Sequence, residues 1–205
     1  MENALRRRSG ALLLLSLLIV GCHLHPQTSL TCAFAPKEFE LIASGGITQF
    51  ENCGRLTEDG IMLDPKLLRM LYFDAGGLGY VLTRGRAFYV LPSGQSRETV
   101  LYESGADFFV EGLARGISRG KIGFINHALE FEIAPAYDFA FPFDYGHAVV
   151  CNGCVAVWVG EHQALEGGAW GVIDRSGQVV IPLEHSRDGL KESPAYRALG
   201  ESRSP

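Results

Sequence analysis

The stretch KIGFINHALEFEIAPAYDFAFPFDYGHAVVCNGC, from Lys121 to Cys154, decides the fold of this chain of 205 residues. It consists of short runs of β-branched and aromatic residues separated by Gly, Pro and polar residues, a pattern typical of short strands joined by turns. The same spacing recurs in segment 86–120, offset by 34 or 35 residues, and in the shorter segment 169–185, offset by 48 residues. Three copies of one pattern predict a protein built from repeats.

Each copy supplies two or three short strands, and a unit of that size must stack on its neighbours to bury an apolar face. We therefore predict an all-β fold, an array of antiparallel β-hairpin repeats over residues 72–185. The aromatic side chains that recur in the units are expected in the core of the repeats, because large rings stabilise small β-units. These residues are Tyr89, Phe108, Phe109, Tyr137, Phe141, Phe143 and Trp170.

The repeated motif resembles the WG-repeat family. The run Trp170-Gly171-Val172-Ile173-Asp174 matches the opening of that family's unit, and Ile122-Gly123-Phe124-Ile125-Asn126 matches it without the Trp. The later part of the unit is matched by the runs from Pro135 to Asp138 and from Phe143 to Ala148. The resemblance implies a β-repeat architecture, and it implies no single activity.

The N-terminus predicts export and lipid attachment. Three arginines precede an apolar run at 11–20, which is the pattern of a signal peptide and about half the length of a membrane-spanning helix. The run ends in Ile19-Val20-Gly21-Cys22, which resembles the bacterial lipobox, so we expect a signal peptide at 1–21 and acylation of Cys22. The alternative is an ordinary signal cleaved near Gly21, with Cys22 incidental.

Composition limits the classes of partner. The chain carries a net charge of −5, which argues against nucleic acid as a partner. We expect residues 22–71 to form a tether and N-terminal segment, and the polar residues 186–205 to form a flexible tail. The predicted location is the bacterial cell envelope, lipid-anchored at the outer membrane and facing the periplasm, because His23 replaces the Asp that often retains lipoproteins at the inner membrane.

The four cysteines after Cys22 predict two disulfides in an exported protein. Asn152-Gly153 favours a two-residue hairpin turn, in which Cys151 and Cys154 would face each other and pair. By elimination, Cys32 would pair with Cys53. Two alternatives stay open: a redox CxxC centre, or a metal site formed by Cys151, Cys154 and His162, or with His147 nearby.

A polar segment at 160–168 interrupts the third repeat, and insertions in repeat proteins often form the binding face. We therefore expect Glu161, His162 and the neighbouring Trp170 to contact a ligand. The sequence contains no cofactor-binding pattern, and no cofactor is expected. The favoured function is a lipid-anchored module that binds an envelope protein or glycan, or acts structurally. The alternative is a CxxC-dependent redox or metal-binding envelope enzyme.

Overall fold

The computed structural model of the protein describes residues 29–37 and 46–201, the last of these through its backbone only. The predicted signal peptide at 1–21, the predicted lipid site at Cys22 and the start of the tether lie outside the described residues.

The described residues form sixteen strands and three helices. The strands are β1 (Thr31–Phe34), β2 (Thr48–Glu51), β3 (Gly54–Leu56), β4 (Ile61–Leu63), β5 (Gly79–Thr83), β6 (Arg86–Val90), β7 (Ser96–Thr99), β8 (Leu101–Tyr102), β9 (Gly105–Ala106), β10 (Ala114–Ser118), β11 (Lys121–Ile125), β12 (Phe131–Tyr137), β13 (Phe139–Ala140), β14 (His147–Val159), β15 (His162–Asp174) and β16 (Val179–His185). The helices are α1 (Pro65–Met70), α2 (Arg187–Glu192) and α3 (Pro194–Glu201).

The strands confirm the predicted all-β fold. Eight of them form one antiparallel sheet in the order β12-β11-β10-β7-β6-β5-β1-β2, and four form a second sheet in the order β13-β14-β15-β16. The pairs β3-β4 and β8-β9 stand outside both sheets. One apolar cluster joins the two large sheets, because Phe124 and Ile133 of the first pack with Val150 and Ile173 of the second.

The eight-stranded sheet starts before the predicted repeat boundary at residue 72. The segment expected to be a tether contributes β1 to β4 and α1. Its residues Cys32, Phe34 and Leu67 are almost completely buried, in one cluster with Phe88 of β6. This burial explains why the segment folds against the eight-stranded sheet, to which it adds β1 and β2.

One turn recurs between successive strands, and it explains the Asp or Asn of the repeat motif. The Oδ1 atom of Asp174 accepts hydrogen bonds from the backbone N–H groups two and four residues further on, at 2.8 and 3.0 Å. Asn126 forms the same two bonds at 2.9 and 3.1 Å, and Asp74 at 2.9 and 2.9 Å. Such side chains stabilise turns by satisfying backbone donors. The turn at Asp74 adds a copy that the sequence repeats did not predict.

The glycine of the repeat motif is required by close backbone approach. A Cβ atom on Gly171 would lie 2.5 Å from the carbonyl oxygen of Ile181, and one on Gly123 would lie 2.4 Å from that of Ile133. In both places the strand pairing shifts register, so β12 and β16 cross the glycine at the same point of the unit. Only a residue without a side chain fits there.

The prediction of a hairpin turn at Asn152-Gly153 is wrong. Both residues lie inside β14, and the turn between β14 and β15 is formed by Gly160 and Glu161. The ladder is interrupted where Gly153 and Gly168 face each other, each with a positive φ. A residue with a Cβ does not fit at position 168, since that atom would lie 2.5 Å from the sulfur of Cys151. Long-range pairing between β14 and β15 therefore overrides the local turn preference.

The end of the chain forms helices α2 and α3, where the sequence predicts a flexible tail. Ser186 caps α2, because its hydroxyl accepts a hydrogen bond from the N–H of Gly189 at 3.1 Å. Leu190 is buried against Trp170, and Tyr196 and Leu199 pack on the same cluster. These few apolar contacts place the helices on the four-stranded sheet. Within the described residues, none of the helices has the length and hydropathy that crossing a bilayer requires.

Candidate functional site

A cavity lies between the four-stranded sheet and helix α2, and we name it the α2 cavity. Its volume is about 370 Å³, within the range of small-ligand sites. Strands β14 and β15 contribute Val149, Trp170 and Val172, the loop before β14 contributes Phe141, and α2 contributes Arg187 and Leu190. The cavity is therefore mainly apolar, with a guanidinium group in its wall.

Arg187 is positioned by two aromatic rings. Its Cζ atom lies 5.5 Å from the ring centroid of Trp170 and 5.8 Å from that of Phe141. Both distances are within the range of cation–π attraction. The Nε atom of Arg187 is buried and has no hydrogen-bond partner among the described residues. The two rings orient the guanidinium group, but its Nε is left without an acceptor among the described residues.

Trp170 forms the back of the cavity and is fully buried. Its indole N–H donates to the backbone oxygen of Gly167 at 2.8 Å. Phe139 and Phe141 lie beside it, with ring centroids 6.0 and 6.4 Å away. Since the one polar atom of the indole is already bonded, Trp170 offers the cavity an apolar surface.

A second cavity, which we name the tyrosine cleft, lies on the eight-stranded sheet. Its volume is about 360 Å³. Its aromatic lining consists of Tyr72, Tyr80, Tyr89, Phe108, Phe109 and His127. Phe109 stacks on His127 with 3.9 Å between ring centroids, and burial raises the pKa of Tyr89, whose hydroxyl donates to the backbone oxygen of Asp107. Phe108 is 63 % exposed, so for this residue the expected core position is wrong.

A buried ion pair supports the tyrosine cleft from below. Asp107 and Arg115 are 2 and 5 % exposed, and their side chains form two hydrogen bonds, at 2.6 and 2.9 Å. The Asp107 carboxylate also accepts a bond from the backbone N–H of Arg115 at 2.9 Å. The remaining guanidinium nitrogen donates to the carbonyl of Ala140 on β13, at 3.1 Å. This network links the two large sheets.

The four cysteines lie in two bonded pairs, Cys32–Cys53 and Cys151–Cys154. The second pair lies within one strand, with 6.2 Å between the Cα atoms, where three extended residues would span about 10 Å. The strand is therefore shorter between these two residues than a regular extended strand. The predicted facing position across a hairpin turn is wrong, although the two residues are bonded.

Glu161 and His162 lie at the tip of the β14–β15 hairpin and are exposed, whereas Trp170 is buried eight positions further along β15. Eight extended residues span about 26 Å, so the structure does not bring Trp170 together with the other two. His162 pairs with Val159, and Cys154 pairs with Gly167, five pairs away. The part of the chain that the structure describes contains no group of three or more His, Cys, Asp or Glu residues that could hold a metal ion.

Sequence reasoning missed Arg187 and assigned Phe141 to the repeat core, whereas Phe141 is 36 % exposed and lines the cavity. The available signal was the Ser186-x-x-Gly189 cap followed by Leu190, which predicts a short helix start. Nothing in the sequence indicates that this helix packs on Trp170, because the contact joins residues from two distant segments.

Comparison with known proteins agrees with this architecture. A family model described as "WG containing repeat" matches residues 122–153 and 170–184. No curated protein and no solved structure matches the chain. The matched segments contain Gly123 and Gly171, at which the strands cross, and the turns at Asn126 and Asp174. The chain therefore contains repeats of the WG type in these two segments.

Proposed function

We propose that the protein is a lipid-anchored component of the bacterial cell envelope whose WG repeats form a non-enzymatic module that binds another protein. The observation that carries this proposal is a two-stranded ribbon that extends from the four-stranded sheet. It consists of residues 154–159 of β14 and 162–167 of β15, and we name it the ribbon.

The outer edges of the ribbon are open. Among the described residues, β13 pairs with β14 only at Cys151 and Val150, and β16 pairs with β15 only from Trp170 onward. Unpaired backbone groups on an edge can pair with a strand of another protein. Adding a strand to an open edge is a recurrent mode of protein recognition.

The ribbon also exposes large apolar side chains. Trp158 is 71 % exposed, Val155 58 % and Val159 57 %. Because side chains alternate along a strand, Val155 and Val159 lie on one face of the ribbon and Trp158 on the other, so a strand added at its edge can contact both faces. Exposed apolar side chains often mark interaction sites, and Trp is enriched among the residues that contribute most to binding. Open edges combined with this side-chain pattern favour a protein partner over a glycan.

The alternative of a redox or metal enzyme gains no support from the site. Cys151 and Cys154 are bonded to each other and are 0 and 7 % exposed, so neither sulfur presents a reactive thiol. His162 lies five residue pairs along the ribbon from Cys154, which is about 17 Å. That distance is too long for a shared metal ion.

Anchoring at the membrane rests on the sequence at Cys22, and the outer membrane is the proposed location. Mass spectrometry of the mature N-terminus tests the anchor, with an acylated peptide beginning at Cys22 as the expected result. An unmodified N-terminus elsewhere would refute this part of the proposal. Membrane fractionation distinguishes the two membranes.

Site-specific photo-crosslinking in intact cells tests the binding module. A photoreactive residue at Trp158 is expected to form a discrete, protease-sensitive adduct, whereas the same probe at the exposed residue Arg55 on β3 should not form it. Trp158→Ser should reduce capture of that partner by a probe at Val159. The matched control is Phe108→Ser, which removes an aromatic ring of similar exposure outside the ribbon. Absence of any ribbon adduct with correctly acylated, folded protein would refute the proposal.

A further inference from the structure

We propose that the α2 cavity is a binding site for a small monoanionic ligand in which a carboxylate lies beside an apolar group. This site is separate from the ribbon, and it does not depend on the proposed protein-binding function. The cavity volume of about 370 Å³ suits a ligand of roughly the size of an acylated amino acid.

The apolar part of the ligand has a preformed surface. Trp170, Val172 and Leu190 are buried residues of one cluster, and all three line the cavity. Phe141 is 36 % exposed and faces the same space. A ligand ring or short aliphatic chain would cover this surface and remove it from water, which is favourable in proportion to the apolar area buried.

The guanidinium group of Arg187 is the donor that would bind the ligand's carboxylate. Arg187 takes part in none of the ion pairs found between the described residues, and its buried Nε has no hydrogen-bond partner there. An unsatisfied buried donor is costly, and a planar guanidinium group matches a carboxylate with two parallel hydrogen bonds. The stacking of Arg187 on Phe141 and Trp170 limits its rotation, so less side-chain freedom is lost when a ligand binds.

The charges around the cavity favour one negative charge on the ligand. Lys191 of α2 lines the cavity beside Arg187, and Asp144 lines it from the opposite loop. The nearest acidic group to Lys191 among the described ion pairs is Asp188, at 3.7 Å on the exposed side of the helix. Because Lys191 already pairs with Asp188, Arg187 is the cation of the lining that no ion pair between described residues compensates. One guanidinium group matches a carboxylate better than a dianionic phosphate.

Tryptophan fluorescence provides a direct test, because the chain contains two Trp residues. The variant Trp158→Phe, as full-length protein in detergent, leaves Trp170 as the single reporter in the cavity wall. N-acetylphenylalanine should change the emission of Trp170 in a saturable manner. Its amide, which differs only in lacking the negative charge, should bind at least about tenfold more weakly, the difference expected for a charge-assisted hydrogen bond.

A second pair of probes distinguishes two sources of the carboxylate. The tripeptide Ala-Ala-Phe and its C-terminal amide test whether a peptide end fits as well as a free acyl amino acid. Tighter binding of the tripeptide acid would assign the cavity to peptide C-termini, and tighter binding of N-acetylphenylalanine would assign it to free small carboxylates. Either result supports the site.

Variants in the same Trp158→Phe background assign the interaction to the residues named. Arg187→Gln should weaken binding of N-acetylphenylalanine by about tenfold or more, and Arg187→Lys should restore only part of it. Lys191→Gln, at a residue whose side chain is 59 % exposed, keeps α2 intact and should weaken binding by a smaller factor. The control Arg55→Gln removes an exposed cation on β3 and should bind as the parent does. Equal binding of acid and amide, or no change at Trp170 with either acid, would overturn the proposal.

Discussion

The buried pair Asp107–Arg115 gives the sharpest prediction about stability. The change Asp107→Ala removes two side-chain hydrogen bonds to Arg115 and one to its backbone N–H. The Arg115 side chain, which is only 6 % exposed in the intact pair, then keeps one hydrogen bond, to the carbonyl of Ala140. Removing one partner of a buried ion pair typically costs about 3–5 kcal/mol, because the other charge is left uncompensated away from water. We therefore expect the free energy of unfolding to fall by about that amount.

Urea unfolding followed by far-ultraviolet circular dichroism measures this change. Replacing both partners, as Asp107→Leu with Arg115→Met, removes the stranded charge and should cost less than the sum of the single changes by about 2 kcal/mol or more. The control is Glu58→Ala, which breaks the exposed pair with Arg119 and should cost less than about 1 kcal/mol. A cost below about 1 kcal/mol for Asp107→Ala, or additive single changes, would show that the pair does not hold the sheets together.

Three further predictions follow from other parts of the fold. Gly171→Ala should lower the melting temperature by several degrees, because the added Cβ would lie 2.5 Å from the backbone oxygen of Ile181. Gly105→Ala should be tolerated, because no atom lies within 4 Å of the added Cβ there. Equal effects of the two changes would contradict the strand-crossing argument. Hydrogen bonds from the N–H of Gly153 and from the ammonium group of Lys121 hold the pKa of the Asp138 carboxyl below its ordinary value of 3.8. The ionised carboxylate therefore contributes its full stabilisation above that pH, and the contribution is lost as the pH falls through the lower pKa of the folded state. The melting-temperature difference between the wild type and Asp138→Asn should therefore shrink as the pH falls below that ordinary value, and a difference that does not change with pH would refute it. Replacing Cys32 and Cys53 together by Ala should cost about 3 kcal/mol in urea unfolding, since the bond closes a loop of 21 residues; an unchanged midpoint would contradict this.

The repeat was predictable because its turns and strand crossings depend on the identity of single residues, which the sequence shows directly. The turns at Asn126 and Asp174 and the crossing glycines 123 and 171 each need a particular residue type, so they recur in the sequence at a fixed offset. The turn at Asp74 has the same hydrogen bonds. The residues around it differ from those around Asn126 and Asp174, so it does not recur at a fixed offset in the sequence.

What was not predictable depends on contacts between distant segments. Asn152-Gly153 has the local chemistry of a turn, yet pairing with β15 places Val150 in the core with Ile173 and determines the register instead. Helices α2 and α3 have a polar composition, and their few apolar residues are stabilised by Trp170, which composition does not reveal. The α2 cavity arises from these two long-range contacts together.

The ribbon has a consequence for the local dynamics of the protein. Its six cross-strand pairs begin at Cys154, and apart from Cys154 and Leu165 its side chains do not belong to the buried clusters or to the residues packed on them. Such a segment can open while the rest of the protein stays folded. Amide hydrogens at 155–166 should exchange with solvent through this local opening, whereas those at 170–174 should exchange only when the sheet unfolds. Changes in the length or sequence of the ribbon can therefore alter what it contacts at little cost to the stability of the fold.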